Sequence, residues 1–214
     1  MSIIALIDYG SGNLPSAEKA LRKAALEIGG GLDVIATADP NQIARADFVV
    51  LPGVGAFAAC MGALTALDGV VEAMTEAVRA RAAPFLGICV GMQLLATAGH
   101  EFGRTEGLNW IAGDVRPLTV TDPKLKIPHM GWNSLTGALD TALFDGLAPG
   151  VHMYFTHSYA MTPSDTKDVS AWCEHGQRFA AAVTRGNIAG VQFHPEKSQA
   201  AGARLLGNFL KWRP

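Results

Sequence analysis

The sequence predicts an α/β fold with a mostly parallel central sheet and helices on both of its faces. Short, continuous apolar segments, typical of strands buried on both sides, alternate with helical segments through the first half of the chain. This alternation is the pattern that builds parallel sheets. The second half contains shorter apolar segments separated by turns, which predict antiparallel strands added to the same sheet.

Length and composition suit one domain that spans residues 1–214. Hydrophobic residues make up 49% of the chain and charged residues 17%, so a large core can form without disulfides. The formal net charge is −2 and no block of Lys or Arg occurs, which argues against a nucleic-acid partner.

The cysteines and the N-terminus indicate where the protein works. Cys60, Cys89 and Cys173 have no paired spacing, so we expect reduced thiols and neither a disulfide frame nor a zinc site. Asp8 interrupts the apolar N-terminus before it reaches the length of a signal-peptide core or a membrane span. These observations predict a cytoplasmic protein that does not enter a membrane.

Individual elements can be assigned along the chain. Ser16 is predicted to cap the first helix, whose apolar positions include Leu21 and Leu26, and Asp39 with Pro40 is predicted to open a short second helix. A long helix is expected over residues 64–82 and a closing amphipathic helix over 198–212. The predicted strands are residues 3–7, 33–36, 48–51, 84–88, 110–120, 130–135, 152–157, 169–174, 179–183 and 188–193.

The segment from Gly87 to Gly91 carries the clearest chemical signal. A buried strand leads directly into Gly-x-Cys-x-Gly and then into a helix, which is the cysteine form of a nucleophile elbow. Glycines are needed there because neighbouring chain segments pass very close to the strained turn. The helix that follows offers free N–H groups and a positive dipole end, which stabilise a thiolate and a developing oxyanion. Cys89 is therefore the candidate nucleophile, whereas Cys60 and Cys173 lack this context.

A candidate base lies at the end of the last predicted strand. A cysteine nucleophile works with a histidine base, and the histidine needs a third group that fixes its tautomer. His194 and Glu196 are two residues apart on a segment that Pro195 is expected to hold extended, so their side chains can point the same way. His100, His152 and His175 have no such surroundings.

Five segments in order resemble the class I (triad) glutamine amidotransferases, and more closely the glutaminase subunits of imidazole glycerol phosphate synthase. They cover the oxyanion loop, the elbow, a Pro-His-Met-Gly-Trp-Asn block, the glutamine-binding strand and the base motif. In this sequence they are residues 51–57, 84–95, 127–133, 155–159 and 193–198. The resemblance extends over almost the whole chain and implies the three-layer fold of class I glutaminases.

The resemblance also implies roles for individual residues. The catalytic triad would be Cys89, His194 and Glu196. The oxyanion hole would involve Gly53, Val54, Gly55 and Val90. Glutamine would be bound by Gln93, His157, Ser158 and Tyr159. Ammonia would pass to a (β/α)8-barrel cyclase subunit, with Asn13, Trp132, Tyr154 and Lys197 at the interface. No metal or cofactor is expected, since Gly10-x-Gly12 lacks the rest of a dinucleotide fingerprint.

Two departures and several alternatives accompany this prediction. Pro15 and Thr156 stand where the family has other residue types, and the former bears on the partner interface. Other triad glutaminases, which serve guanylate, anthranilate or pyridoxal phosphate synthesis, are the first alternative, although Val54 and residues 128–133 argue against them. The others are a cysteine hydrolase of related sheet architecture and a non-catalytic interaction subunit. Without the resemblance, Trp132 and Tyr154 would be interpreted as core aromatics.

Overall fold

The computed structural model describes residues 2–137 and 139–214. Its strands are β1 (Ser2–Ile7), β2 (Leu32–Thr37), β3 (Phe48–Gly53), β4 (Phe85–Cys89), β5 (Ala98–Gly99), β6 (Thr105–Glu106), β7 (Gly113–Pro117), β8 (His129–Ser134), β9 (His152–His157), β10 (Tyr159–Pro163), β11 (Val169–His175), β12 (Gln177–Arg185) and β13 (Ile188–Val191). Its α-helices are α1 (Leu14–Glu27), α2 (Pro40–Arg45), α3 (Phe57–Thr65), α4 (Val70–Thr75), α5 (Val90–Gln93) and α6 (Gln199–Lys211).

The main sheet has the predicted, mostly parallel character. Within the described residues its strand order is β11-β12-β13-β4-β3-β1-β2. The strands from β13 to β2 are parallel, and β12 and β11 extend this sheet as an antiparallel edge. Strands β3 and β4 are buried at every position, as the continuous apolar segments predicted.

Helices cover both faces of this sheet, which follows from the strand order. The chain moves from β1 outward to β2 and then back across β1 to β3. Because parallel crossovers are right-handed, this reversal places α1 on one face and α2 on the other. Accordingly, α1 packs against α6, whereas α2 packs against α4.

The expectation that all later strands join the main sheet was wrong. Strands β10, β7, β5 and β6 form a separate small sheet, and β8 pairs only with β9 within the described chain. The predicted strand over residues 110–120 is limited to β7, because Trp110 and Ile111 pack in the core through turn hydrogen bonds to Leu95. The strands β5, β6 and β10 were not predicted, since two of them contain only two residues.

Two helix predictions were also wrong. Asn13, not Ser16, caps α1: its side-chain oxygen accepts the Ser16 N–H at 3.4 Å. Leu26 lies on the solvent side of α1 and is 78% exposed. The expected helix over residues 64–82 is divided: α3 begins earlier and ends at Thr65, Gly69 at φ 73° precedes α4, and residues Glu76–Ala80 form a π-helical turn. Gly69 breaks the helix because its left-handed backbone cannot continue a right-handed one.

Among the described residues, no single helix is long and apolar enough to span a membrane. The bent pair Phe57–Thr65 and Val70–Ala80 meets the same criterion of length and composition when its two helices are taken together.

Candidate active site

The nucleophile elbow is present at the end of β4. Cys89 has φ 55° and ψ −111°, a strained conformation for a residue other than glycine. A Cβ added at Gly91 would lie 1.9 Å from the Leu51 carbonyl oxygen, and one at Gly87 would lie 2.5 Å from the Gly91 oxygen. The flanking glycines therefore let β3, β4 and α5 approach closely. Helix α5 has only one turn, so its dipole contributes less than the sequence suggested.

The candidate base and its orienting carboxylate meet behind the nucleophile. His194 Nδ1 lies 2.8 Å from Glu196 Oε1, and both side chains are buried. The segment is not extended as expected: Pro195–Lys197 forms a 3-10 turn that starts at Pro195, where proline suits the first helical position. The turn brings the two side chains together all the same, because Glu196 folds back toward the ring.

Sheet register brings Cys89 and His194 to the same edge. Strand β13 lies beside β4, with Val191 opposite Ile88, so both chains leave the sheet side by side. The His194 N–H donates to the Tyr154 carbonyl at 2.8 Å. Ser198 Oγ donates to the His194 carbonyl at 2.7 Å and accepts the Tyr154 N–H at 3.0 Å. These bonds fasten the base to β9 and fix the direction of its ring.

The electrostatics favour a charged His194. Burial lowers the pKa of this ring, but its interactions with Cys89 and Glu196 outweigh burial and raise the pKa to about 9. The ring therefore carries a proton at neutral pH, which it can donate. His194 Nε2 is buried without a hydrogen-bond partner in the described chain, so it is available for proton transfer once the sulfur or substrate closes on it.

A pocket of about 270 Å³ opens in front of this pair. It is lined by most of the residues predicted from sequence. These are Val54, Gly55, Cys89, Val90, Gln93, His157, Ser158, Tyr159 and His194. Gly53 and Glu196 do not line it: Gly53 packs against the elbow, where a Cβ would lie 2.7 Å from the Gly91 nitrogen, and Glu196 lies behind the histidine ring.

The expected oxyanion loop is held away from an anion-binding arrangement. The Val54 N–H donates to Ser11 Oγ at 3.2 Å, and the same hydroxyl donates to the Val54 carbonyl at 2.8 Å. Cys60 Sγ donates to this carbonyl as well, at 3.2 Å. Since the N–H and C=O of a trans peptide point in opposite directions, the Gly53 carbonyl faces away from Ser11. Val54 itself is 45% exposed.

The residues expected to bind glutamine form a hydrogen-bonded group. Gln93 Nε2 donates to the Tyr159 carbonyl at 2.9 Å, and His157 Nδ1 donates to the same carbonyl at 2.9 Å. His157 Nε2 in turn lies 3.0 Å from His129 Nδ1. Burial lowers the pKa of His157 to about 3 and that of His129 to about 4, so both rings are neutral and serve as fixed donors and acceptors.

Sequence reasoning missed Glu101. This carboxylate lines the pocket, and its Oε2 accepts the Phe57 N–H at 2.8 Å, at the start of α3. Nothing in its local sequence marks it, because it lies in a loop and reaches the pocket only through the packing of α3 against the elbow region.

The residues expected at the partner interface lie partly on one face. Side chains alternate along β8 and β9, which buries His129 and Phe155 and leaves Trp132 and Tyr154 on the opposite side. Trp132 is 46% exposed and meets the Tyr154 ring edge-on at 6.0 Å, with Lys197 Nζ 5.8 Å from the Tyr154 ring centre. They are not core aromatics. Asn13 is exposed and caps α1.

Comparison with known proteins gives the class. The family model "Glutamine amidotransferase class-I" matches residues 5–212. Among solved structures, a putative GMP synthase protein from Thermoplasma acidophilum shares the fold with a TM-score of 0.66 at 20% identity, covering 99% of this chain and 93% of that one. A structure described as glutamine amidotransferase has a TM-score of 0.70 at 17% identity, covering 97% of each chain. The chain belongs to the class I glutamine amidotransferases.

Full-length relatives give the family within that class. The chain is 60% identical over 214 residues to the imidazole glycerol phosphate synthase subunit HisH of Caulobacter vibrioides, covering 100% of both. It is 55% identical over 212 residues to the protein of the same name from Rhodospirillum rubrum, covering 99% of each. Within its class, the chain belongs to this family of HisH subunits. These identities do not favour the other triad glutaminases or the non-catalytic alternative.

Proposed function

We propose that this protein hydrolyses L-glutamine to glutamate and ammonia and delivers the ammonia to a cyclase subunit. The cyclase uses it to make imidazole glycerol phosphate and aminoimidazole carboxamide ribotide in histidine biosynthesis. The observation that carries the proposal is the convergence of Cys89, the elbow residue of β4, with the His194–Glu196 pair at one pocket. Its chemistry is that of an activated cysteine nucleophile.

The reaction divides into two acyl transfers. The Cys89 thiolate attacks the side-chain carboxamide carbon of glutamine, and His194 donates its proton to the departing nitrogen, which leaves as ammonia. Water then attacks the resulting glutamyl thioester while the neutral His194 takes a proton from it, which regenerates the thiolate and releases glutamate. Glu196 keeps the ring oriented and stabilises its charged form.

The pocket offers contacts for the amino-acid end of glutamine. Both hydrogens of the Gln93 amide are used internally, by Tyr159 and Gln192, so its carbonyl oxygen is left for a substrate donor such as the α-ammonium group. Glu101 supplies a negative charge in the same pocket. A carboxylate only accepts hydrogen bonds, so Ser158 and Tyr159 would meet the α-carboxylate through their N–H groups, while their carbonyls accept internal hydrogen bonds.

The oxyanion hole would be completed only in the active complex. Val90 N–H at the start of α5 is one donor, and the second would be the Val54 N–H once it leaves Ser11. Turning the Gly53–Val54 peptide changes ψ of Gly53 and φ of Val54. Gly53 accepts the change freely, whereas the β-branched Val54 resists positive φ, which would keep the loop of the free subunit in its inactive arrangement. Docking of the cyclase with its ligand would drive this change. Before docking, the incomplete oxyanion hole would prevent loss of glutamine in the free subunit.

We expect a heterodimer with a (β/α)8-barrel cyclase. The face formed by Trp132, Tyr154 and Lys197 supports this, because it exposes aromatic surface beside a cation next to the active site. Asn13, in the loop before α1, would extend the same interface.

The direct test replaces the nucleophile. In the complex, Cys89→Ala should abolish glutamine-dependent synthesis and retain synthesis from added ammonia, because the second reaction takes place on the cyclase. Cys173→Ala, in the buried strand β11, serves as the matched control and should keep both activities. Glutaminase activity near the parent level in Cys89→Ala would refute the proposal.

A further inference from the structure

Gln192 is a buried amide beside the nucleophile for which the reaction above has no role. Strand β13 ends at Val191, opposite Ile88, so Gln192 follows at the level of Cys89. Its side chain is 0% exposed, and its Nε2 atom lies 3.6 Å from Cys89 Sγ. A polar side chain buried this completely is kept only where it has partners.

The direction of the hydrogen bond to sulfur follows from the neighbouring groups. The Tyr159 carbonyl can only accept, so the Gln93 atom 2.9 Å from it is the amino group. This amino group also lies 3.0 Å from the Gln192 amide, so the Gln192 atom that it meets is the carbonyl oxygen. The other end of Gln192, which faces the sulfur, is therefore a donor. The assignment is anchored on a backbone carbonyl and leaves no freedom to flip either amide.

A donor in this position acts on the charged state of the nucleophile. A hydrogen bond to a thiolate stabilises the charged form, and it does so strongly where burial excludes water. Because Gln93 holds the oxygen end of Gln192, the amide cannot rotate away without breaking a second hydrogen bond. The contact is thus preorganised before substrate arrives.

We propose that Gln192 is a further catalytic residue, which donates a side-chain hydrogen bond to the Cys89 thiolate. The inference rests on the function proposed above for Cys89. It assigns Gln93 two tasks, since this residue both faces the substrate and holds the donor of the sulfur in place.

Other charged, titratable or polar groups face the same sulfur, and a test of Gln192 must leave them unchanged. His194 faces it from the end of β13, and Glu196 stands behind His194. Tyr9, at the end of β1, interacts with Cys89, and burial raises the pKa of its phenol so that it remains neutral. Glu101 lines the same pocket. The Thr156 carbonyl, 3.9 Å from the sulfur, is uncharged.

The first experiment measures the reactivity of Cys89 in the full chain without glutamine. Iodoacetamide labelling is followed by mass spectrometry of the Cys89 peptide from pH 5 to 10 in the parent and in Gln192→Met, which keeps length and removes the donor. We expect labelling at neutral pH to slow about tenfold or more, as for the loss of a hydrogen bond to a charged group. The midpoint of the pH profile should move upward. Gln42→Met, exposed on α2, should match the parent.

The second experiment separates Gln192 from Gln93 by kinetics of the complex. Gln192→Met should lower kcat for glutamine about tenfold with KM within about twofold. Gln93→Met should raise KM as well as lower kcat, because it loses the substrate contact in addition to the hydrogen bond that holds Gln192. Equal labelling profiles for Gln192→Met and the parent would overturn the proposal, whatever the kinetics.

A measurement on the unmodified chain covers the case in which Gln192→Met does not fold. The side-chain amide protons of Gln192, observed by NMR, should shift with pH at the labelling midpoint and should shift again after Cys89 is alkylated. Chemical shifts of the Gln192 amide protons that respond neither to pH nor to alkylation would also overturn the proposal. Labelling and NMR do not depend on glutamine hydrolysis, so their failure is distinct from failure of the proposed function.

Discussion

The nucleophile and the loop that faces it are held in different ways. Cys89 and His194 stand at the ends of adjacent buried strands, and Ser198 ties the base to β9 through two hydrogen bonds. Val54 lines the same pocket, yet it is half exposed and is fixed mainly by the Ser11 hydroxyl. One side of the site is built into the core, and the other depends on a few contacts at the surface.

The two sides of the pocket meet different energetic requirements. The proposed reaction of a Cys89 thiolate with a charged His194 needs preorganised, buried partners, because a charged pair without them is costly inside a protein. The oxyanion donor needs to move, and a loop held by hydrogen bonds of about 1 kcal/mol each can be released by a docking partner. We therefore expect changes on the buried side to abolish activity and changes on the loop side to alter its regulation.

After loss of the nucleophile, the largest effect should come from removing the base. His194→Asn should lower kcat by about 10²–10⁴, the usual contribution of a general base. Glu196→Gln should lower it less, because it removes charge and orientation but keeps the ring. Steady-state glutaminase assays of the ligand-loaded complex measure both. His152→Asn, at the exposed start of β9, is the matched control.

A loss of less than about threefold in His194→Asn would contradict its role as the base. A loss in Glu196→Gln larger than in His194→Asn would show that the carboxylate does more than orient the ring.

The loop side should show a smaller, conditional effect. Loss of one oxyanion donor costs about 3–4 kcal/mol, so the ligand-loaded complex should exceed the isolated chain by about two to three orders of magnitude, mainly in kcat. Ser11→Ala removes the hydroxyl that accepts from the Val54 N–H and donates to the Val54 carbonyl. Loss of the bond to the N–H alone should raise the rate of the isolated chain about two- to twelvefold. The loaded complex should change little.

Ser164→Ala, in an exposed turn, provides the control for this comparison. Equal kcat values for the isolated chain and the loaded complex would exclude the switch, and a slower isolated Ser11→Ala chain would show that Ser11 supports the loop and does not restrain it.

The last effect concerns stability and leaves activity at neutral pH unchanged. It involves the neutral His157, which shares the Tyr159 carbonyl with Gln93, and His129 beside it. The folded-state pKa values of His157 and His129 are lowered, to about 3 and about 4. Below about pH 6.5 these two histidines bind protons in the unfolded chain but stay neutral in the folded chain. Their contribution to the free energy of unfolding is therefore complete above pH 6.5 and is lost as pH falls. In urea unfolding, the difference in the free energy of unfolding between the parent and His157→Gln should decrease by up to about 1.4 kcal/mol for each pH unit below 6.5.

Groups common to the parent and the variant cancel in this difference. A difference that stays constant for His157→Gln between pH 7 and pH 4 would show that the buried rings take up protons in the folded chain.

The local sequence patterns predicted much of the site. Three patterns determine local structure within a few residues, so they can be recognised without the rest of the chain. They are the apolar strands, the glycines at 87 and 91, and the His-Pro-Glu segment. The boundaries that were missed depend on context. Gly69 and the π-helical turn divide the expected long helix, and the short strands β5 and β6 exist only through pairing with each other and with β7.

The sequence by itself determined the α/β class and the elbow and predicted that Cys89 and His194 act together, because these depend on residue type, short-range spacing and strand order. Only the tertiary structure decided that Ser11 holds Val54 across 43 residues and that Gln192 donates to Cys89 across 103 residues. Such contacts join segments that are remote along the chain, and the direction of each hydrogen bond is set by the partner that the fold brings to it.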